Sequence, residues 1–450
     1  MNDKYPIGQQ TVDAMYDNTG TQNPLIEALP TSLSPKEFFD EIEWYPVLGE
    51  LRTLTQRKTA LSLLPTTFVP LSYMFSIYDS MFRMMESSYH TMTSRESAIR
   101  INALFAGKTS TGSYGTQAQS GALLGTPGIG KTTTARRCLS LLPQVINHKK
   151  YLGEPFYTKQ VLWLYVECPS DASQKTMAYN IVRALDLAVG GNHLDYLMRV
   201  RSTASSAAAT YIKILCMTYH VGLLVIDEIQ NVVGTAQKSK QIKPLIRFLT
   251  ELTNDTCTAV YFVGTTMADN VFSSEEYLRR RTRGPRLLPF KPDAGYRQFL
   301  QSLWPYQVTE QSAELTDNLA NQLYAYSGGV PAYITSLFME AQAQALLHHK
   351  RKIDKQLVTQ AAEYLTIQPP SKIGKGMSIS DFRIVEDPAV RSEEEESETV
   401  LTVDDTYQAP VRRGRKSATR EKRDLLVAYK SGTLDSMLKK YGMIEELVVC

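Results

Sequence analysis

GTPGIGKT, Gly125 to Thr132, is the stretch on which the reading of this chain turns. It stands between the apolar run Gly121-Ala122-Leu123-Leu124 and a helix-like segment, Thr133-Thr134-Ala135-Arg136-Arg137-Cys138-Leu139. Small residues at this spacing let the backbone turn so that several N–H groups converge on an anion, and the following helix adds the positive end of its dipole. Gly125, Thr126, Pro127, Gly128, Ile129, Gly130, Lys131, Thr132 and Thr133 are therefore the expected phosphate-binding residues. Lys131 would reach the outer phosphates, and the Thr132 hydroxyl would hold Mg2+. A second element agrees: Gly222-Leu223-Leu224-Val225-Ile226-Asp227-Glu228 is an apolar strand ending in two carboxylates. Asp227 suits organising the metal and its waters, and Glu228 suits polarising the attacking water, because hydrolysis needs a base opposite the leaving phosphate. Either motif alone also reads as an ordinary buried strand and turn. In this order and context the pair predicts ATP bound with Mg2+.

Composition sets ordinary bounds. The 450 residues are 43% hydrophobic and 21% charged, with a formal net charge of +3, which suits a globular protein of two or three domains with a large core. So small a net charge names no partner by itself. No run approaches the roughly eighteen apolar residues of a membrane span, and the polar start Met1-Asn2-Asp3-Lys4 is unlike a signal peptide, so a cytoplasmic protein with no membrane partner is expected. The five cysteines, Cys138, Cys168, Cys216, Cys257 and Cys450, form no CxxC pair and have no histidine at ligand spacing. Four lie in apolar surroundings that favour small core residues over disulfides or zinc. His348 and His349 end a helix-like run, where they suit the dipole better than a metal.

Residues 1–33 are a polar arm holding the compact patch Asn23-Pro24-Leu25-Ile26-Glu27-Ala28-Leu29-Pro30, which is expected to dock onto this chain or a partner. Residues 34–106 turn helical. Their Met and aromatic stripe, Met74, Phe75, Ile77, Tyr78, Met81, Phe82 and Met85, reads as core rather than as a cofactor site. Residues 107–292 form the nucleotide-binding core, entered through a Ser, Thr and Gly-rich loop at 107–120. Val161 to Val166 reads as a second buried strand, 176–189 and 195–219 as helical, 242–252 as a helix, and 259–266 as a strand on which Thr265 is placed to sense the terminal phosphate. Strands alternating with helices predict an α/β fold, a parallel sheet covered on both faces with its ligand at the strands' carboxyl ends. The run Tyr277-Leu278-Arg279-Arg280-Arg281-Thr282-Arg283-Gly284 reads either as a solvated face or as arginines that reach a neighbouring subunit's nucleotide. Residues 293–366 predict a small helical lid whose Gly328-Gly329-Val330-Pro331 turn lies close to the nucleotide. Residues 367–411 read as an acidic flexible linker, and 412–450 as a basic tail with a short helical segment, suited to DNA backbone or to an acidic partner.

These residues converge on a known pattern. The loop GTPGIGKT, the strand LLVIDE, a strand ending VGT, an arginine cluster and a helical lid look like an AAA+ ATPase, a P-loop core with a helical lid, an N-terminal helical extension and a C-terminal tail. More narrowly, NPLIEALP at 23–30, GLLVIDEIQ at 222–230, FVGT at 262–265 and LRRRTRG at 278–284 resemble the TnsC/TniB transposition regulators of Tn-seven-type mobile elements, over about residues 16–350. The resemblance implies a protein that forms rings or filaments of itself around duplex DNA. It further implies a link between a target-selector protein of the TniQ/TnsD type, reading a fixed site or an RNA guide, and the transposase TnsA/TnsB. Carried over by position, Lys131 and Thr132 bind phosphate and Mg2+, Asp227 and Glu228 support hydrolysis, Thr265 senses phosphate, and Arg279 and Arg283 fit the family's arginine spacing. Relatives grip the DNA backbone near the second strand and its helix, which implies Lys175, Thr176, Arg199 and Arg201 here. There is one departure: no arginine follows Gly328-Gly329-Val330-Pro331, where many AAA+ proteins place a second sensor.

Three other readings stay open at this stage. A helicase loader or initiator-type AAA+ protein shares the same site chemistry. A small-molecule phosphotransferase would need a substrate pocket and no arginine cluster, and a binding module would keep ATP only as a structural ligand.

Overall fold

Short apolar runs with no polar face suit strands buried on both sides, and three such runs, all foreseen, form the middle of a six-stranded parallel sheet. The computed structural model describes residues 5, 7–17, 20–106, 119–199, 205–231, 242–269, 272, 283–370 and 376–382. Among them the elements follow in chain order as β1 (Thr11–Asp13), α1 (Pro24–Glu27), α2 (Pro35–Ile42), α3 (Leu54–Leu63), α4 (Ser72–Thr91), α5 (Ser94–Phe105), β2 (Ser120–Gly125), α6 (Lys131–Ser140), β3 (Val145–Tyr151), β4 (Glu154–Val161), β5 (Trp163–Glu167), α7 (Gln174–Val189), α8 (His193–Arg199), α9 (Ser205–Thr218), β6 (Leu223–Asp227), α10 (Ile242–Thr256), β7 (Ala259–Thr265), β8 (Arg286–Leu288), α11 (Ala294–Leu303), α12 (Asp317–Ser327), α13 (Pro331–Leu347), α14 (Lys355–Leu365) and β9 (Met377–Ser378). The large sheet runs β5-β6-β7-β2-β8-β9, and a separate sheet runs β1-β3-β4.

Side chains alternate across a strand, and both faces of the large sheet are covered. Leu123, Leu223, Val225, Tyr261 and Val263 belong to one buried cluster with α4 and α6 residues such as Tyr73, Met81, Met85 and Cys138. Ala122, Leu124, Leu224, Ile226, Val260 and Phe262 belong to another with Ile181, Ile212 and Phe248 of α7, α9 and α10. The Met and aromatic stripe of α4 is thus core, as its spacing predicts. It also makes the 34–106 extension part of the central sandwich rather than an appendage. Cys138, Cys168, Cys216 and Cys257 are buried and free. Among the described residues no helix is long and apolar enough to cross a membrane.

The patch at 23–30 docks onto its own chain. Asn23 caps α1 through Oδ1, which accepts the Leu25 N–H at 3.1 Å, while Nδ2 donates to the Tyr89 carbonyl at 2.9 Å. Leu25 and Ala28 are fully buried, and Gln160 donates to the Leu25 carbonyl at 2.8 Å. Replacing Asn23 by Ala removes the cap and the tie to α4 together. The expected loss is about 1–2 kcal/mol, read as a lower denaturant midpoint; an unchanged midpoint would mean the arm unfolds independently of the core.

Three expectations are corrected. The run 161–166 is not one strand: Val161 ends β4 and Trp163 begins β5, so the chain crosses between sheets at Leu162, whose N–H is held by the Gln144 carbonyl at 2.8 Å. The β3–β4 hairpin was not foreseen, nor was β8. Residues 367–411 were read as linker, yet Met377–Ser378 adds β9 to the sheet edge in parallel register with Leu287 and Leu288. That return is fixed by the Ile379 N–H on the Leu288 carbonyl at 3.1 Å, by Ser378 Oγ on the Pro289 carbonyl at 2.8 Å, by an ion pair of Lys291 with Asp381 at 2.6 Å, and by Phe382 against the Tyr73 ring. The loop expected at 107–120 lies outside the described residues up to 118, and Ser120 already opens β2. The basic tail at 412–450 also lies outside them.

The lid is helical as predicted, α11 to α14. It touches the extension as well as the core: Arg57 of α3 donates to the carbonyls of Val308 and Thr309 at 2.8 and 2.6 Å, and Tyr45 stacks on Tyr306 with ring centroids 5.1 Å apart.

Candidate nucleotide site

The glycine loop leaves β2 at its carboxyl end and enters α6. Gly128 and Gly130 both have positive φ, 79° and 94°, where a side chain would be strained. Gly130 is the N-cap of α6 and makes no side-chain cap hydrogen bond, so nothing on that residue competes with an anion for the first-turn N–H groups. The loop is braced from outside. Tyr73 of α4 is fully buried and bonds the Ile129 carbonyl at 3.3 Å and Thr134 Oγ1 at 3.1 Å. The Gly328-Gly329-Val330-Pro331 turn lies on the loop as expected: the Ala332 N–H donates to the Gly128 carbonyl at 3.1 Å, and a Cβ on Gly128 would meet Val330 at 2.9 Å.

Lys131 is 8% exposed, with Nζ held by the carbonyls of Gly125 and Thr126 at 3.1 and 3.0 Å. Burial lowers its pKa, opposed by the nearby charges of Asp227 and Glu228. Thr132 Oγ1 donates to Asp227 Oδ2 at 2.7 Å, so the two expected metal ligands from separate motifs meet. Asp227 is itself buried, and its Oδ1 accepts the Glu228 N–H at 2.7 Å. Glu228 stands just past β6 with φ of 55°. Thr265 ends β7 in the same place; its Oγ1 is buried and has no hydrogen-bond partner among the described residues, which leaves it free to donate to a ligand oxygen. One carboxylate and one hydroxyl suit Mg2+, which takes few protein ligands and completes its shell with water and phosphate. The residues present therefore fit ATP with Mg2+.

Three neighbours escaped the sequence reading. Tyr165 donates to Asp227 Oδ2 and carries the Arg136 guanidinium 4.6 Å above its ring, while Arg136 also reaches Glu167 at 3.4 Å. Burial, then the bond to Asp227, raises the Tyr165 pKa. Trp163, Tyr165 and Glu167 alternate with buried Leu164 and Val166, and that period of two was the available signal. Gln230 donates to Glu228 Oε2 and accepts the Thr265 N–H at 2.9 Å; it closes the quoted stretch GLLVIDEIQ, but the sequence reading gave it no role.

The remaining predicted residues are scattered. Arg283 is exposed and pairs as an isolated bridge with Gly121, at the start of β2. Gly121 is four residues before Gly125, about 13 Å along the strand at roughly 3.3 Å per residue, so Arg283 is remote from its own chain's loop. Arg279 and Arg201 lie outside the described residues. Lys175 and Thr176 open α7, with the Thr176 hydroxyl donating to Asp171 at 2.9 Å and Lys175 Nζ 5.6 Å from the Tyr179 ring. Arg199 sits at 3.9 Å from Asp195, both well exposed. An ion pair the sequence reading missed, Arg286 with Asp269 at 2.6 Å, ties β8 to the segment after β7.

Residues 115–272 match the family described as AAA domain, and the chain has the AAA+ P-loop fold, a parallel sheet flanked by helices. The loop, Asp227, Glu228 and Thr265 all fall within the match. Solved structures similar to this chain include the Aeropyrum pernix ORC2 protein in ADPNP–ADP complexes, 14% identical over 60% of this chain and 66% of that one, with a TM-score of 0.37. The Aeropyrum pernix ORC1 protein in complex with DNA is 14% identical over 60% of this chain and 64% of that one, TM-score 0.38. The Thermotoga maritima RuvB Holliday junction branch migration motor is 16% identical over 61% and 68%, TM-score 0.32. The chain thus spans slightly less than two thirds of the two ORC proteins. No curated protein matches it.

Proposed function

We propose that this protein is an ATPase that assembles on duplex DNA and links a target-selector protein of the TniQ/TnsD type to the TnsA/TnsB transposase, with hydrolysis timing its release. The observation that carries the ATPase reading is the 2.7 Å bond between Thr132 and Asp227, beside a buried Lys131 and with the Thr265 hydroxyl, unpartnered among the described residues, at the end of the neighbouring strand β7. When bound, Mg2+ neutralises phosphate charge and orients the leaving group. The chain's own residues do the rest. Lys131 turns from its loop carbonyls to the outer phosphates, Thr132 and Asp227 hold the metal's position, Thr265 donates to the terminal phosphate, and Glu228 takes the proton of the attacking water.

The DNA role rests on Lys175, Thr176, Arg199 and Arg201, and on the basic arm at 412–423, which has seven Lys or Arg and one Glu. Phosphate contacts of this kind give sequence-independent binding that weakens steeply with salt. The remoteness of Arg283 from its own loop supports a role for the arginine cluster, Arg279 and Arg283, on a neighbouring copy's nucleotide. The docking of 23–30 supports the narrower family reading, because that patch is a working part of the fold. Sedimentation with duplex DNA, with and without a non-hydrolysable ATP analogue, tests the proposal. Large salt-sensitive assemblies are expected only when both ligands are present; a monomer indifferent to DNA would overturn the DNA role and turn attention to small-molecule phosphoryl acceptors.

A further inference from the structure

The turn after β6 is built to reach the end of β7. Glu228 adopts φ of 55°, a conformation that costs a non-glycine residue about 1 kcal/mol. It is held there by the Asn231 N–H on the Glu228 carbonyl at 2.8 Å and by the Ile229 N–H on the Val263 carbonyl at 3.1 Å. Gly264 gives the turn its room: a Cβ there would stand 2.5 Å from Gln230 Oε1 and 2.7 Å from Ile229 Cγ2. The half-buried Gln230 side chain lies across this gap. Its amide orientation is fixed by its neighbours, since a backbone N–H only donates and an ionised carboxylate only accepts. Oε1 must therefore face the Thr265 N–H, at 2.9 Å, and Nε2 must face Glu228 Oε2.

We infer that Gln230 is a positioning residue that joins Thr265 to Glu228, so that a phosphate held by Thr265 sets the carboxylate in place for its water. This rests on the reading of Glu228 as the base. One amide touches both groups. The residue that meets the terminal phosphate offers its hydroxyl to the ligand and its N–H to Gln230, so a displacement of the strand end reaches Glu228 through two hydrogen bonds. Gln230 itself need not touch the nucleotide. A purely structural role, satisfying the Thr265 N–H, would use only the Oε1 end; the second bond, to the carboxylate, is what such a role leaves unexplained.

The test uses the full chain with DNA, measuring kcat and KM for ATP and Kd for ADP and for a non-hydrolysable analogue. Gln230→Met keeps length and removes both bonds. Gln230→Glu keeps the acceptor for Thr265 and sets a second carboxylate against Glu228. The Met variant is expected to lower kcat on the order of tenfold to a hundredfold, with KM and both Kd values within about twofold, and the Glu variant to lower kcat at least as far. Thr265→Val is expected to narrow the affinity difference between analogue and ADP. Combined with Gln230→Met, it is expected to lower kcat no further than the worse single variant, the mark of groups acting as one unit. Wild-type kcat in both Gln230 variants, or fully additive losses in the double variant, would overturn the inference while leaving Glu228 as the base. Retained turnover in Glu228→Gln would take down both readings.

Discussion

Glu228→Gln is expected to stop ATP turnover, with kcat down by at least about a hundredfold, while ATP and DNA binding remain. The amide is nearly the same size as the carboxylate, and its carbonyl oxygen still accepts from Gln230. The backbone bonds that hold residue 228 in its left-handed conformation do not involve the side chain. What is lost is the capacity to take a proton from water. Phosphate release under saturating ATP measures the first half of the expectation, and equilibrium binding of labelled ATP measures the second. Loss of ATP binding in this variant would mean that Glu228 shapes the site rather than acting as the base.

Lys131→Ala is expected to weaken ATP binding by about a hundredfold or more, the usual consequence of removing one member of a buried charge pair. Stability without nucleotide should change much less, because two effects oppose each other. The carbonyls of Gly125 and Thr126 lose their donor, but the cost of keeping an ammonium 8% exposed disappears with it. The clean readout is the rise in melting temperature with ATP. A ligand at a hundred times its Kd stabilises a protein by about 2.7 kcal/mol, and that increment should fall to about 0.4 kcal/mol or less in the variant while the ligand-free melting temperature moves little. A variant that keeps the ATP-dependent rise would show that the loop's N–H groups bind phosphate without the lysine.

The parts of the fold legible in the sequence were those fixed by local chemistry. Gly128 and Gly130 announced a turn that only glycine adopts easily, and the β2, β6 and β7 runs had no polar face. The α4 stripe repeated at helical spacing. The parts that escaped depend on neighbours distant in the chain. β8 and β9 are three and two residues long, too short for any period to emerge; β8 exists because β2 offers an edge, and β9 because β8 then does. The β3–β4 hairpin reads as polar because buried His148 and Gln160 satisfy each other at 2.9 Å, which removes the apolar signal a strand usually carries. At the site, residues that would touch phosphate or metal were readable from motif spacing. Tyr165 and Gln230, which only orient those residues, were not.

The return of the chain at β9 gives the lid an unusual connection. The lid leaves the sheet after Leu288, and Ile379 comes back to hydrogen-bond that same residue at 3.1 Å. Its two ends are therefore pinned side by side, and everything between them is a closed loop on the sheet edge rather than a domain on a single tether. The lid is therefore fastened at the β8–β9 edge as well as at its contacts with Arg57, Tyr45 and the phosphate loop. Phe382 extends the fastening to Tyr73 and so to the Ile129 carbonyl of the phosphate loop. Phe382, the last described residue before the tail, thus stands one side chain away from the tyrosine that braces the phosphate loop.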